Sequence, residues 1–242
     1  MARHPDDIRF SVPLYTTAQA ARYVRVPEST YRAWAKGYRR VFDGGSREVS
    51  GDPIITTLPA KRGYPAIPFV GLAESMVLAG FRKAGVSLQH IRQTIPVLER
   101  EVGVAHALAS KRLYTDGAVI LYDYAQAGAA DPDAVQELSG LTRVVDGQRV
   151  FAEVVRDHLR RLTYAEDGWA DQVVLPYTDR DLLRIRPDQA GGQPLFVHGR
   201  APLEAVVSRW RAGDRLAEIA RDFGVPVDDV EDALRVSVGA AA

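Results

Sequence analysis

The chain has 242 residues, 46% hydrophobic and 26% charged, with no cysteine. It is long enough to bury a sizeable core, and disulfides, thiolate metal sites and cysteine nucleophiles are excluded. The formal net charge is zero, yet residues 1–112 carry 17 Lys/Arg against 9 Asp/Glu and residues 113–242 carry 14 against 22. A basic half suits a phosphate backbone, and an acidic half is repelled by one. An unevenly charged solvated surface would leave the same pattern. No apolar run approaches the ~20 residues of a membrane span. The opening segment carries Arg3, Asp6, Asp7 and Arg9 in place of the apolar centre of a signal peptide, so a cytoplasmic location and no membrane contact are expected.

Two short helices are predicted between Tyr15 and Gly37. Thr16-Thr17-Ala18-Gln19 fits a capping box, in which the Thr16 hydroxyl and the Gln19 amide satisfy orphan N–H groups reciprocally. Ala18, Ala21 and Val24 then recur at helical spacing. A tight connection, Val24-Arg25-Val26, leads to Pro27, which is preorganised for a helix start. The second helix sets Tyr31 and Trp34 on one face and Arg32, Ala35 and Lys36 on the other, and Gly37 can end it with a positive φ. After a loop at Asp43-Gly44-Gly45-Ser46, strands are predicted at Ile54–Leu58 and Ala66–Val70, paired around the basic turn Lys61-Arg62-Gly63. A helix over Leu72–Ala84 stops at Gly85, and Ser87 caps another with Leu88, Ile91, Ile95 and Leu98 as its stripe. Pro96 is expected to kink or split that helix.

The middle is less regular. Hairpins are predicted at 112–122 around Asp116-Gly117 and at Thr142–Val150 around Asp146-Gly147. Between them Asp133–Leu138 reads as a short helix. Phe151–Leu162 is amphipathic, and Asp167–Asp179 reads as loop or edge strand. From Pro187 to Gly199 the chain is rich in Gly and Pro, with Pro194–Val197 extended. Three helices follow, at Leu203–Ala212, Leu216–Phe223 and Val227–Val236. The predicted fold is mainly α with small β-hairpins: a winged helix-turn-helix over 1–112, a mixed α/β connecting region over 113–184, and a three-helix domain over 185–242.

The strongest local signal runs from Ala20 to Trp34. Small residues at the end of the first helix let the second cross it steeply, Val26 plugs the corner, and Trp34 locks the second helix from beneath. Ser29, Arg32 and Lys36 are left facing outward, where they could reach DNA. This segment, with the order of elements through about Gly103, resembles the helix-turn-helix of MerR-like winged regulators. One position departs: the turn residue usually filled by glycine is Arg25, at a cost of roughly 1 kcal/mol if left-handed. Lys61 and Arg62, at the predicted hairpin tip, and Arg39 and Arg40, just past the second helix, are the candidates for phosphate or minor-groove contact. A solvated turn would carry the same residues.

A second pattern comprises Ile185-Arg186-Pro187, Gly191-Gly192-Gln193-Pro194, Gly199-Arg200, Arg211-Ala212-Gly213-Asp214, Ile219-Ala220 and Phe223-Gly224-Val225. Its spacing resembles the domain of unknown function family 433 (DUF 433), a family associated with antitoxins of VapBC-like type II toxin–antitoxin modules. The threonine usual after the second glycine motif is here Arg200. The layout is similar to the longer antitoxins of that group, which fuse a MerR-like helix-turn-helix to this domain. The resemblance implies operator DNA and a PIN-like ribonuclease toxin as partners and control of the protein's own operon.

The three terminal helices also have a helix-turn-helix outline. The would-be recognition helix, however, carries Asp228, Asp229, Glu231 and Asp232, which cannot approach phosphate favourably. These four are the candidate partner-binding residues; an ordinary acidic first turn, favoured by the helix dipole, is the competing reading. Enzyme signals are poor. There is no phosphate loop, HExxH, G-x-S-x-G or dinucleotide fingerprint, and His4, His90, His106, His158 and His198 are scattered without a second ligand at helical spacing. Asp179 and Asp181, alternating with Arg180 and near Arg184, fit a salt-bridged turn better than a metal pair. No catalytic residue, metal or cofactor is expected. The favoured reading is a DNA-binding antitoxin, expected to be a homodimer on a palindromic site. The alternatives are a MerR-like regulator whose C-terminal half senses a small ligand and, remotely, a hydrolase.

Overall fold

The computed structural model describes residues 6–42, 47–84, 86–113, 157–178 and 180–239. The hairpin predicted at 112–122 beyond its first two residues, that at Thr142–Val150, the helix at Asp133–Leu138, and the first half of Phe151–Leu162 fall outside the described residues. Within them the chain is mainly helical, with two small antiparallel sheets.

The N-terminal half begins with a helical turn, α1 (Ile8–Ser11), capped by Asp7, whose side chain accepts from the Arg9 N–H at 2.9 Å. The helix α2 (Thr17–Val24) starts on the predicted capping box: the Gln19 N–H donates to Thr16 Oγ1 at 3.2 Å, and the Thr16 N–H donates to Gln19 Oε1 at 2.9 Å. It ends at Arg25, which sits in the left-handed region with φ 61° and ψ 45°. Then α3 (Glu28–Lys36) buries Tyr31 and Trp34, the face that its helical spacing selects, and also Ala35, which the sequence reading sets on the outward face. Gly37 follows at φ 72°, where a Cβ would stand 2.4 Å from the Gly51 carbonyl oxygen. Only glycine allows the chain to turn there.

The hairpin after α3 is not where the sequence pattern put it. Strands β1 (Tyr38–Phe42) and β2 (Arg47–Gly51) pair antiparallel, from Tyr38 opposite Gly51 to Phe42 opposite Arg47, so the predicted loop at Asp43–Ser46 separates the two strands. The segments Ile54–Leu58 and Ala66–Val70 form no ladder with each other. Prolines at 53, 59, 65 and 68 remove ladder donors along this stretch, and Ile67 bridges Tyr15 instead. The Lys61–Tyr64 turn is thus the end of a loop closed by a 2.8 Å bond from the Leu58 N–H to the Ala66 carbonyl, and not a hairpin tip.

Pro68 is the N-cap of α4 (Phe69–Lys83), which begins three residues before the predicted start. This helix is buried nearly all round, as the central element of a core must be. The helix α5 (Leu88–Val102) continues through Pro96, so the proline does not split it. Its stripe of Ile91 and Leu98 is buried, and that packing offsets the donor missing at Pro96.

A four-stranded antiparallel sheet in the order β3 (Leu162–Tyr164), β4 (Ala170–Val174), β5 (Leu183–Ile185) and β6 (Leu195–Phe196) follows. The stretch read as loop or edge therefore supplies an interior strand, β4. Three helices close the chain near their predicted bounds: α6 (Leu203–Arg211), α7 (Leu216–Phe223) and α8 (Val227–Gly239). One continuous buried cluster runs from Tyr15 to Leu234 and includes residues of all three predicted segments.

Trp34 illustrates how local pattern becomes stability. It is 1% exposed and packs on Tyr31, and its carbonyl accepts from the N–H groups of Ile54 and Ile55. Trp34→Ala is expected to cost ~3–5 kcal/mol as a large core truncation, whereas Lys36→Ala, on the exposed face, should stay within about 0.5 kcal/mol. Urea unfolding of both variants checks the contrast, which a similar loss in each would refute.

Candidate nucleic-acid interface

The corner between α2 and α3 is fixed by backbone bonds. The Arg25 N–H donates to the Arg22 carbonyl at 3.2 Å, the Val26 N–H to Ala21 at 3.0 Å, and the Tyr31 N–H to Pro27 at 3.0 Å. Tyr31 ties α3 to α4 through its hydroxyl, 3.2 Å from Ser75 Oγ. With that face anchored, Ser29, Arg32 and Lys36 emerge together on the exposed side of α3. Arg32 is not idle there, since its guanidinium pairs with Glu28 one turn earlier at 2.6 Å, both side chains being largely exposed. Such a pair is worth little and is readily exchanged for a phosphate or base edge.

Arg39 lies exposed on β1 opposite Ser50, and Arg40 stands opposite Val49 in the same ladder. Lys61 and Arg62 are exposed in their loop, beside the exposed ring of Tyr64. The sequence reading missed Arg92 of α5, which positions the hairpin on α3. Its guanidinium stacks 4.8 Å from the Tyr38 ring centroid, and its Nε donates to the Asp52 carbonyl at 2.9 Å. A second contact reaches the Ala33 carbonyl at 3.5 Å. Nothing local marks Arg92, because all its partners are at least forty residues away in sequence.

The C-terminal helices repeat the same corner. The chain Ala21-Arg22-Tyr23-Val24-Arg25-Val26-Pro27 is matched by Ala220-Arg221-Asp222-Phe223-Gly224-Val225-Pro226. Gly224 takes the left-handed cap at φ 64°. The Val225 N–H donates to Ala220 at 2.9 Å, and the Val230 N–H donates to Pro226 at 3.1 Å, bond for bond as in the first corner. Gly199 packs directly beneath it, where a Cβ would meet the Gly224 carbonyl oxygen at 2.5 Å. In this register Val230 and Ala233, both buried, occupy the places of Tyr31 and Trp34. Asp228, Glu231 and Arg235 occupy those of Ser29, Arg32 and Lys36.

The four carboxylates of α8 differ in setting. Asp228 is exposed, with no ion pair among the described residues. Asp229 is 5% exposed; its Oδ2 lies 3.0 Å from His198 Nδ1 and its Oδ1 is 3.5 Å from the Arg180 guanidinium, so it anchors α8 to the sheet side. Glu231 pairs with Arg235 at 2.8 Å, and Asp232 pairs with both Arg180 and Arg235. Arg180 therefore does bind carboxylates, and those it pairs with among the described residues belong to α8. No group of three metal-ligating side chains occurs among the described residues, and no described helix is long and apolar enough to cross a membrane.

Comparisons with known proteins agree with this division. Residues 13–95 match the family described as "Putative DNA-binding HTH domain", and residues 184–235 match the family described as "Protein of unknown function (DUF433)". The crystal structure of Rv2018 from Mycobacterium tuberculosis is similar at 38% identity and a TM-score of 0.76, over 93% of this chain and 99% of that one. A Mycobacterium tuberculosis protein named "Putative antitoxin VapB45" is 42% identical over 231 residues, which cover 94% of this chain and 95% of the relative. The chain belongs to the family of that antitoxin-named protein, with a DNA-binding helix-turn-helix domain followed by a DUF433 domain.

Proposed function

We propose that the protein is a DNA-binding antitoxin that represses its own operon and neutralises a PIN-like ribonuclease. The observation that carries this reading is the inversion of charge between two corners of the same geometry. Outward positions that are Ser29, Arg32 and Lys36 on α3 become Asp228, Glu231 and Arg235 on α8. A basic recognition helix gains from phosphate, and an acidic one is repelled by it but fits the positive surface that an RNA-cutting enzyme needs. In this reading α3 enters the major groove, with Arg39 and Arg40 of the hairpin and Lys61 and Arg62 of the loop at the flanking backbone. A homodimer presents two such helices to a palindromic site. Asp228, Glu231 and Asp232 face the toxin, while the buried Asp229 holds their helix in place.

DNA binding is tested on the segment upstream of the protein's own reading frame, by fluorescence anisotropy at several salt concentrations. Arg32→Ala should lose ~1–3 kcal/mol on the preferred sequence and relax its preference. Lys61→Ala should weaken all sequences alike and flatten the salt slope by about one. Glu28→Ala should move the other way by up to ~1 kcal/mol, since it releases Arg32 and removes a negative charge. An unchanged or weakened affinity for Glu28→Ala would remove α3 from the interface.

Toxin neutralisation is tested with the product of the adjacent gene. The double variant Asp228→Lys and Glu231→Lys changes side chains that do not hold the core. It should abolish complex formation in gel filtration and restore RNA cleavage, yet leave operator binding intact. Failure of the unaltered protein to form a complex or to slow cleavage, even in excess, would refute the antitoxin reading.

A further inference from the structure

A cleft of about 410 Å³ lies where the N-terminal corner meets the C-terminal helices. Four guanidinium groups line it, those of Arg22, Arg25, Arg211 and Arg235, against the single carboxylate of Glu204. Two of the four are already engaged. Arg235 is held by Glu231 and Asp232, and Arg25 reaches the carbonyls of Pro176 and Tyr177 at 3.4 Å each. The side chains of Arg22 and Arg211 are exposed and make no hydrogen bond or ion pair among the described residues.

Two tyrosines bring hydroxyls to the same wall. Tyr23 donates to Gln193 Oε1 at 3.3 Å, and the Tyr177 hydroxyl has no partner among the described residues. Burial pushes both phenols up, outweighing the opposing pull of the Arg22 charge, so each keeps its proton as a donor beside that guanidinium. Leu203, Val207 and Val236 supply an apolar surface beside these donors. Converging donors beside an apolar wall, in a volume within the roughly 300–1,000 Å³ usual for small-molecule pockets, describe a ligand site and not a gap in packing.

We propose that this cleft binds a small-molecule anion, a phosphate ester or carboxylate with a compact apolar body, through Arg22, Arg211 and the Tyr177 hydroxyl. The charged head sits among the arginines and the body lies on the Leu203–Val207–Val236 surface. Because α2 supplies Arg22 while α6 and α8 supply Arg211 and Val236, the bound molecule bridges the DNA-facing corner and the acidic helix.

The test is isothermal calorimetry on the full chain at low salt, with phenyl phosphate and inorganic phosphate as probes. Phenyl phosphate should bind at one site, more tightly than inorganic phosphate because of its ring, and should raise the unfolding temperature. The double variant Arg22→Ala and Arg211→Ala should keep its fold by circular dichroism, since both side chains are exposed. It should lose affinity for phenyl phosphate by about tenfold or more, the scale of one charge-assisted hydrogen bond. Absence of saturable binding at millimolar phenyl phosphate, or equal binding by the variant, overturns the proposal. So does a variant that loses operator affinity while the unaltered protein ignores phenyl phosphate, because those arginines would then serve the DNA backbone.

Discussion

Arg25 holds the turn between α2 and α3 in a left-handed conformation, which costs an L-residue about 1 kcal/mol relative to glycine. Its side chain crosses to the Pro176 and Tyr177 carbonyls, 151 and 152 residues away. A glycine would relieve the backbone and lose that link. The α2–α3 corner is therefore seated against the C-terminal half by the same residue that shapes it. Tyr23, bonded to Gln193, and the close approach of Gly192 to the Tyr15 hydroxyl continue this seam. An ion pair of Arg9 with Asp167 and the edge-on rings of Phe10 and Trp169 extend it along the opposite side. The two halves share one core, so the angle between α3 and α8 is a property of the fold and not of a linker.

A buried carboxylate organises the middle of that core. Glu74 is 4% exposed, a costly place for a charge unless its oxygens are fully bonded. It accepts the Thr56 N–H at 2.5 Å and the Thr56 hydroxyl at 3.0 Å, and His106 Nδ1 lies 2.9 Å away. The His106 N–H in turn donates to Glu99 Oε1 at 2.7 Å. This network joins α4, α5 and the loop after the hairpin, and the His106 ring carries it to Phe10 and Trp169. The loop over 54–58 was predicted as a strand because Ile, Thr and Leu favour extended backbone. Its donors go instead to Glu74, to the Trp34 carbonyl and to Ala66, which is why no ladder forms there.

What the sequence disclosed was local in origin. The capping box at Thr16, the Val-Pro corner and the bounds of α6, α7 and α8 all follow from spacing within a few residues, and the structure has them. The hairpin was misplaced because two stretches had comparable strand character, and the choice between them lay in Arg92 stacked on Tyr38 and in the Tyr15–Ile67 bridge. Strands β3 and β5, three residues each, carry too little pattern to be seen without their neighbours. Asp229 shows a site residue misjudged by composition alone. It lies one helical turn before Ala233, which is buried, so the spacing that predicted the helix also places Asp229 on the inner face. Arg22 and Arg211 fall within the two sequence motifs, but they lie on separate elements of opposite halves and no spacing brings them together.

The two corners separate what folds the chain from what it presents. Both keep a left-handed cap, a valine in the turn, a proline at the helix start and an apolar pair three residues apart facing inward. These positions determine backbone geometry, and they tolerate Tyr31 and Trp34 or Val230 and Ala233 because packing requires only apolar volume suited to each site. The outward positions contribute little to stability, so their charge is free to change sign without disturbing the corner. A fold with a DNA-binding domain at one end can thereby present an acidic surface at the other, and the proposed function resides in the three or four exposed side chains of each helix. The contacts of Arg25 across the seam give that arrangement its consequence. One buried cluster spans both corners, so a partner on α8 and a duplex on α3, as proposed above, would meet in a geometry that this shared core sets.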